Sequence, residues 1–117
     1  MTLRQARCRF TAFIPSLINK AIELGYDVAL DEGMDRPTAK DPTTDHMKGS
    51  LHELGLAQDI VLYQKSDGTY ITEGTGYIDL GEFWKSLDPL CKWGGDFVMK
   101  DYDHFSYAPP EVIGNRK

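Results

Sequence analysis

Apolar residues near the start of the chain recur every three or four positions, which is the period of a helix that buries one face. The stripe consists of Phe10, Phe13, Ile14, Leu17, Ile18, Ala21 and Ile22. Thr11 is the expected N-cap, and it would place Pro15 in the first turn, where the missing N–H costs little. Upstream, Thr2 and Gln5 form a capping-box pattern, which indicates a helical turn. We therefore predict an amphipathic helix that ends at Gly25.

The middle of the chain changes to patterns typical of strands and turns. Residues 26–30 predict a short strand, and residues 56–63 predict a central strand with apolar side chains on both faces. A turn at residues 66–69 separates the central strand from a further strand piece at 70–72. Residues 31–49 are polar and interrupted by Gly and Pro, so we predict a long loop of the kind that is usually functional or mobile.

The last third of the sequence combines a short helix with strand pieces. A second apolar stripe predicts the helix and places Trp84 in the core; it consists of Leu80, Phe83, Trp84 and Leu87. The helix is expected to end near Pro89. Residues 93–97 and 104–107 are expected to form strands or strand edges.

Composition and charge narrow the possible functions. The chain has 117 residues, 41% of them hydrophobic, which suits one domain with its own core. Thirteen Lys and Arg against eighteen Asp and Glu give a net charge of −5, which argues against a nucleic-acid-binding protein because such proteins present a basic face. No apolar run approaches the roughly 20 residues of a membrane span, and the first residues lack a signal-peptide pattern. We therefore expect synthesis in the cytosol, no membrane insertion, and thiols at Cys8 and Cys91.

Candidate chemistry depends on two histidines and on carboxylates in two stretches of the chain. Asp59 lies within the most apolar predicted strand, where a carboxylate needs a cation or a full set of donors. A purely structural pairing with an arginine such as Arg36 is the alternative. If His52 and His104 join Asp59, two histidines and one carboxylate leave Zn²⁺ one open position, as in catalytic zinc sites. A spare carboxylate such as Asp101 could then accept a proton from a water molecule.

These residues occur in a pattern that resembles a known family. The chain carries Ser50-x-His52-x-x-Gly55-x-Ala57-x-Asp59, then Trp93-Gly94-Gly95-Asp96, and then Asp101-x-x-His104. The pattern resembles the zinc peptidases of the D-alanyl-D-alanine carboxypeptidase group over about residues 10–107. Within that group it is most similar to phage endolysins that cut the L-alanyl-D-glutamate bond of peptidoglycan. The resemblance implies an α+β fold of the Hedgehog/DD-peptidase type, with a small antiparallel sheet and flanking helices.

The resemblance also implies a role for each main residue of the pattern. His52, Asp59 and His104 correspond to the three protein ligands of one Zn²⁺. Asp101 corresponds to the catalytic acid/base. Arg36 falls where the family has an arginine that polarises the scissile carbonyl.

Four further residues near the pattern are candidates for supporting roles, and for some of them two roles remain possible. Asp103 directly precedes the last ligand and competes with Asp101 for the role of base. Ser50 is expected to orient the ligand loop by hydrogen bonding. Trp93 precedes a double glycine and is a candidate for the wall of the substrate groove. Asp96 is either a hydrogen-bond partner of a ligand histidine or a turn residue.

The expected function is a zinc-dependent peptidoglycan peptidase whose catalytic domain fills residues 1–117, without a separate wall-binding domain. It would act as a monomer on the stem peptide after holin-dependent release from the host cytoplasm. The alternatives are a D-alanyl-D-alanine (D,D- or L,D-) carboxypeptidase of the same fold and a zinc-site binding module without catalysis. A non-haem Fe(II) oxygenase also uses two histidines and a carboxylate, but it commonly places the first two ligands one residue apart, whereas His52 and Asp59 are seven apart.

Overall fold

A computed structural model describes residues 1–31 and 50–114 of the chain. Its first element is helix α1, Leu3–Glu23, which begins at a complete capping box. The Gln5 backbone N–H donates to the Thr2 hydroxyl at 3.1 Å, and the Thr2 backbone N–H donates to the Gln5 side chain at 2.8 Å. Two of the unpaired N–H groups at the helix start are thereby satisfied, so the helix starts here.

The prediction that Thr11 caps the helix is wrong. Its hydroxyl donates to the Arg7 carbonyl at 2.8 Å, one turn back within α1. Pro15 consequently lies inside the helix, on its exposed side, where the carbonyl left without a backbone donor can face water. The predicted end of the helix is confirmed, because Gly25 follows it with a φ of 97°.

Within residues 1–31 and 50–114, five antiparallel strands form one open sheet. The strands are β1 (Tyr26–Leu30), β2 (Ala57–Gln64), β3 (Tyr70–Ile71), β4 (Cys91–Trp93) and β5 (His104–Tyr107). Their order is β1-β2-β5-β4, and β3 also pairs with β2. Strand β2 is therefore central, as its apolar pattern predicts, and the predicted α+β fold with a small antiparallel sheet and flanking helices is confirmed.

Helices α1 and α2 (Thr75–Leu87) pack together and cover the sheet, and the short α3 (Pro110–Ile113) follows β5. The predicted core position of Trp84 is confirmed, since its side chain is fully buried on α2. Its ring meets Phe10 of α1 and Phe105 of β5 edge to face, and its indole N–H donates to the Ser106 carbonyl at 3.0 Å. One aromatic side chain thus joins both helices to β5.

The predicted strand over residues 93–97 is correct only at its first residue. Strand β4 ends at Trp93, and Gly94–Asp96 form a 3₁₀ turn. None of the helices in the described ranges has the length and apolar character needed to cross a membrane.

Candidate metal centre

Three side chains converge at one end of the paired strands β2 and β5. The Nε2 atom of His52 lies 3.2 Å from Nδ1 of His104 and 3.3 Å from Oδ1 of Asp59. The third edge of this triangle, from His104 Nδ1 to Asp59 Oδ1, measures 3.7 Å. Each of the three side chains is only 7% exposed. These atoms could hold a metal ion.

The register of the sheet brings two of the three residues together. Asp59 and His104 are directly opposed residues of β2 and β5. Opposed residues on antiparallel strands have their Cβ atoms about 4.5–5.5 Å apart, on the same face of the sheet. The Ile60 N–H also donates to the carbonyl of Asp103 at 2.8 Å, which holds the start of β5 against β2.

His52 reaches the same point from the turn before β2. The Gly55 N–H donates to the His52 carbonyl at 3.1 Å, and the left-handed φ of Gly55, 74°, lets the chain turn into the strand. From α1, the Arg7 guanidinium donates through Nε to the Leu54 carbonyl at 2.6 Å. Because Arg7 lies close above Gly55, a side chain at position 55 would press on it. The helix therefore braces the turn that carries His52.

The electrostatic balance at Asp59 favours the ionised carboxylate. Burial by itself would raise the pKa of Asp59, but hydrogen bonds and charges from His104 and His52 together lower it well below its usual range. A buried anion facing two imidazole nitrogens is the environment that attracts a cation. The Arg36 pairing that was the structural alternative lies outside the described residues.

The spacing of the three atoms can be compared with that of a tetrahedral metal site. Zn–N and Zn–O bonds of about 2.0–2.1 Å give a separation of about 3.3 Å between neighbouring tetrahedral ligands. Two of the observed edges, 3.2 and 3.3 Å, match this separation, and the third, 3.7 Å, is slightly long. The donor set of two imidazoles and one carboxylate also suits Zn²⁺. The residues present therefore fit the ion that the sequence pattern implies.

Two further carboxylates lie beside this triangle. One carboxylate oxygen each of Asp59, Asp101 and Asp103 lies within 4.8 Å of the others. Asp101 is exposed, Asp103 is half-buried and Asp59 is buried. Three like charges this close repel one another, and a bound divalent cation would relieve that repulsion. Both candidates for the base are thus near the centre, and they differ in their access to solvent.

Gly94 positions the turn that carries Asp101 and His104. The Asp101 N–H donates to the Gly94 carbonyl at 3.0 Å, and the His104 N–H donates to the Asp101 carbonyl at 3.1 Å. A Cβ atom at position 94 would collide with the Asp101 carbonyl and lie 2.8 Å from the His104 Cβ. Only glycine permits this close approach of the two chain segments.

The structure gives the surroundings of three other predicted site residues: Ser50, Trp93 and Asp96. The Ser50 hydroxyl is buried and has no hydrogen-bond partner among residues 1–31 and 50–114, and it is the Ser50 carbonyl that accepts a bond, from the Glu53 N–H at 3.1 Å. Trp93 is 5% exposed and donates from its indole to the Tyr102 carbonyl at 2.8 Å, so it belongs to the core beneath the site. The Asp96 carboxylate pairs with Lys85 at 2.8 Å, which favours its role as a turn residue.

Two residues near the centre were not identified from the sequence. Arg7 stands in a basic segment whose charge suggests only a solvated helix face, and its contact with Leu54 depends on tertiary packing. Phe97 follows the 3₁₀ turn, and its ring lies 5.2 Å from the His104 ring, centroid to centroid. An aromatic residue after Gly-Gly-Asp carries no sequence signal that separates this contact from ordinary core packing.

The model of a family described as D-alanyl-D-alanine carboxypeptidase matches residues 44–107. This match includes the three converging side chains and both neighbouring aspartates, and it leaves out α1 and β1. No curated protein matches the chain.

Proposed function

Because the chain belongs to the D-alanyl-D-alanine carboxypeptidase family, we propose that it is a zinc-dependent peptidase of the phage endolysin type that hydrolyses the stem peptides of peptidoglycan. The observation that carries the proposal is the convergence of His52, Asp59 and His104, whose nearest ligand atoms lie 3.2–3.7 Å apart. Family membership supports a peptidase, and this convergence supports a metal-dependent one.

In the proposed enzyme the three converging side chains hold one Zn²⁺. When bound, the ion supplies Lewis acidity, which polarises a carbonyl group and makes a water molecule a better nucleophile. The protein contributes the fixed geometry: Asp59 and His104 are set by strand pairing, and His52 by the turn that Arg7 braces. Burial of all three limits competition from solvent.

Asp101 is the proposed general acid/base. Such a group must accept a proton from the attacking water and later donate it to the leaving amine, so its carboxylate must reach the substrate. The Asp101 carboxylate is exposed and near Asp59, which meets both requirements. Asp103 also has a carboxylate oxygen within 4.8 Å of Asp59, but it is half-buried, which makes it the weaker candidate. Arg36 is proposed, on family position alone, to polarise the scissile carbonyl.

The proposed scissile bond is the L-alanyl-D-glutamate bond of the stem peptide. Cleavage of a terminal D-alanyl-D-alanine bond is the second candidate, and the family description favours it. Both reactions hydrolyse an amide next to an alanine residue, so one metal centre and one base would serve either. The choice between them would be made by side chains of the substrate groove.

We also propose the biological setting that goes with an endolysin. The enzyme would be made in the host cytoplasm, act as a monomer and reach the wall after holin-dependent release. Residues 1–117 would form the catalytic domain. Neither nucleic acid nor membrane insertion has a place in this proposal.

Two measurements test the proposed function. Elemental analysis of the purified protein is expected to give about one zinc per chain, and stoichiometric iron with oxygen-dependent turnover would instead indicate the oxygenase alternative. Mass spectrometry of digested peptidoglycan is expected to show new D-glutamate amino termini. Released D-alanine would support the carboxypeptidase. If zinc-loaded protein leaves the peptidoglycan intact, the result would support the alternative of a binding module without catalysis.

A further inference from the structure

The ring of Phe97 packs against one of the proposed metal ligands. The Phe97 and His104 ring centroids are 5.2 Å apart, and the ring planes are inclined by 53°. Phe97 is 36% exposed, whereas the next two residues, Val98 and Met99, are 103% and 87% exposed. Phe97 is therefore less exposed than the two apolar residues that follow it, and its ring contacts the candidate metal centre through His104.

Among the described residues, only one of the two His104 ring nitrogens has a polar partner. Its Nδ1 atom faces Asp59 and His52, while its Nε2 atom is buried without a hydrogen-bond partner in the described part of the chain. A metal-bound histidine normally donates its second ring N–H to a carboxylate, a carbonyl or a water molecule, which fixes the orientation of the ring. Here an aromatic ring occupies the neighbourhood instead, and a ring can hold an imidazole by tilted packing.

Backbone and side-chain bonds fix Phe97 in this place. The Phe97 N–H donates to the Gly94 carbonyl at 3.1 Å and so closes the 3₁₀ turn. The Lys100 ammonium group donates to the Gly95 carbonyl at 3.0 Å, and the Asp96 carboxylate pairs with Lys85 of α2 at 2.8 Å. The backbone of the loop is therefore tied on both sides of Phe97 by contacts that need no metal.

We propose that Phe97 is a positioning residue, whose ring holds the His104 imidazole with Nδ1 directed toward Asp59 and His52. This inference rests on the proposed function, because it assumes that His104 is a metal ligand. Its consequence is that zinc affinity depends on an aromatic side chain that does not itself bind the ion. Loss of the ring would let the imidazole rotate, and the ligand atom would spend less time in its binding orientation.

The test is a zinc titration of metal-free protein in competition with a chromophoric chelator. Phe97→Ala is expected to weaken zinc binding about 10-fold, the lower end of the effect seen when the group that orients a metal-bound histidine is removed. Phe97→Tyr keeps the ring and is expected to bind zinc within about twofold of the wild type. Phe97→Leu keeps the bulk without the ring and is expected to resemble Phe97→Ala. The matched control is Val98→Ala. Val98 follows Phe97 and is fully exposed, so its truncation should leave zinc affinity unchanged.

The outcomes separate this inference from the proposed function. A wild-type protein that fails to bind zinc overturns the proposed function and, with it, the role of Phe97. A wild-type protein that binds zinc while Phe97→Ala binds equally well overturns the role of Phe97 alone. Equal losses in Phe97→Ala and Val98→Ala, or full affinity in Phe97→Leu, also overturn it. If circular dichroism shows that Phe97→Ala does not fold, the zinc affinities of Phe97→Leu and Phe97→Tyr are compared instead. Weaker binding in Phe97→Leu than in Phe97→Tyr supports the role of Phe97, and equal binding overturns it.

Discussion

At the residue scale, the carboxylates around the candidate metal centre differ in solvent exposure, and this difference predicts different roles. We expect Asp101→Ala to lower the rate of peptidoglycan hydrolysis at least about 100-fold, because a general acid/base typically contributes 10²–10⁴-fold. Zinc content should stay near one per chain, since Asp101 lies outside the buried triangle of His52, Asp59 and His104. Hydrolysis rate and bound zinc would be measured on the same preparation.

The control for this prediction is Asp79→Ala, which removes an exposed carboxylate of α2 and should change neither quantity. Asp103→Ala should keep most of the activity. Full activity in Asp101→Ala would refute its catalytic role, and loss of zinc in that variant would make it a ligand. If Asp103→Ala alone abolishes hydrolysis, the base is Asp103.

Two buried tyrosines provide a matched pair for the energetics of the fold. The Tyr77 hydroxyl accepts from the Leu62 N–H at 3.0 Å and donates to the Ile71 carbonyl at 2.7 Å, so it joins β2 to β3. Tyr77→Phe removes both hydrogen bonds, one buried and one half-buried, and should lower the free energy of unfolding by about 1–3 kcal/mol. Urea denaturation of wild type and variant measures this difference.

Tyr107→Phe serves as the counterpart, because the Tyr107 hydroxyl is buried on β5 without a hydrogen-bond partner in the described residues. Removing it costs no hydrogen bond, and we expect an unchanged or slightly higher free energy of unfolding, by up to about 1 kcal/mol. Equal destabilisation of Tyr77→Phe and Tyr107→Phe would contradict this account, since it would mean that the hydroxyl contacts do not decide the effect.

At the element scale, apolar periodicity predicts elements better than it predicts their ends. The stripe from Phe10 to Ile22 correctly predicts a helix. The first turns of α1 bury only Ala6, so the sequence shows no apolar periodicity there that would indicate a helix. The capping box at Thr2 and Gln5 is the local signal that marks the true start. Strand β2 could be predicted closely because it is apolar along most of its length and central in the sheet.

The candidate centre could be predicted only in part, for a related reason. Ligand types and spacing in the sequence single out His52, Asp59 and His104, but the opposition of Asp59 and His104 follows from strand register. The expectation that Trp93 lines the groove rests on its place before a double glycine, whereas its ring packs so close to Gly81 and Gly95 that a Cβ atom at either position would collide with it. Such contacts between distant segments leave no local pattern.

The tight turn at Gly94 leads to a prediction at this scale. Gly94→Ala should weaken zinc binding at least about 10-fold, because the added Cβ would push away the segment that carries Asp101 and His104. The control is Gly68→Ala. Gly68 has a left-handed φ of 73° and open space around it, so alanine there should cost roughly 1–2 kcal/mol of stability and leave zinc affinity unchanged. Zinc titration and thermal melting of both variants separate the two effects, and wild-type affinity in Gly94→Ala would rule out the proposed steric link.

At the scale of the whole molecule, the proposed ligands come from three separate segments: the turn before β2, β2 itself and the start of β5. An ion held by all three would bind the folded chain and not the unfolded one, so it would stabilise the fold by mass action. At a free zinc concentration 100 times the dissociation constant, the gain is about 2.7 kcal/mol. For a domain of this size, that corresponds to a rise in melting temperature of roughly 10 °C.

Calorimetric melting with zinc and with excess chelator measures this rise. His52→Ala is the informative variant, because it removes one ligand from the turn and leaves the pairing of β2 with β5 intact. Its melting temperature should be nearly independent of zinc, whereas the chelated wild-type protein should melt close to the chelated variant. An equal zinc-induced rise in His52→Ala would show that the ion binds elsewhere on the chain. No rise in the wild type would mean that the buried triangle is held together by the hydrogen bonds of Asp59 with the two histidines, without a metal.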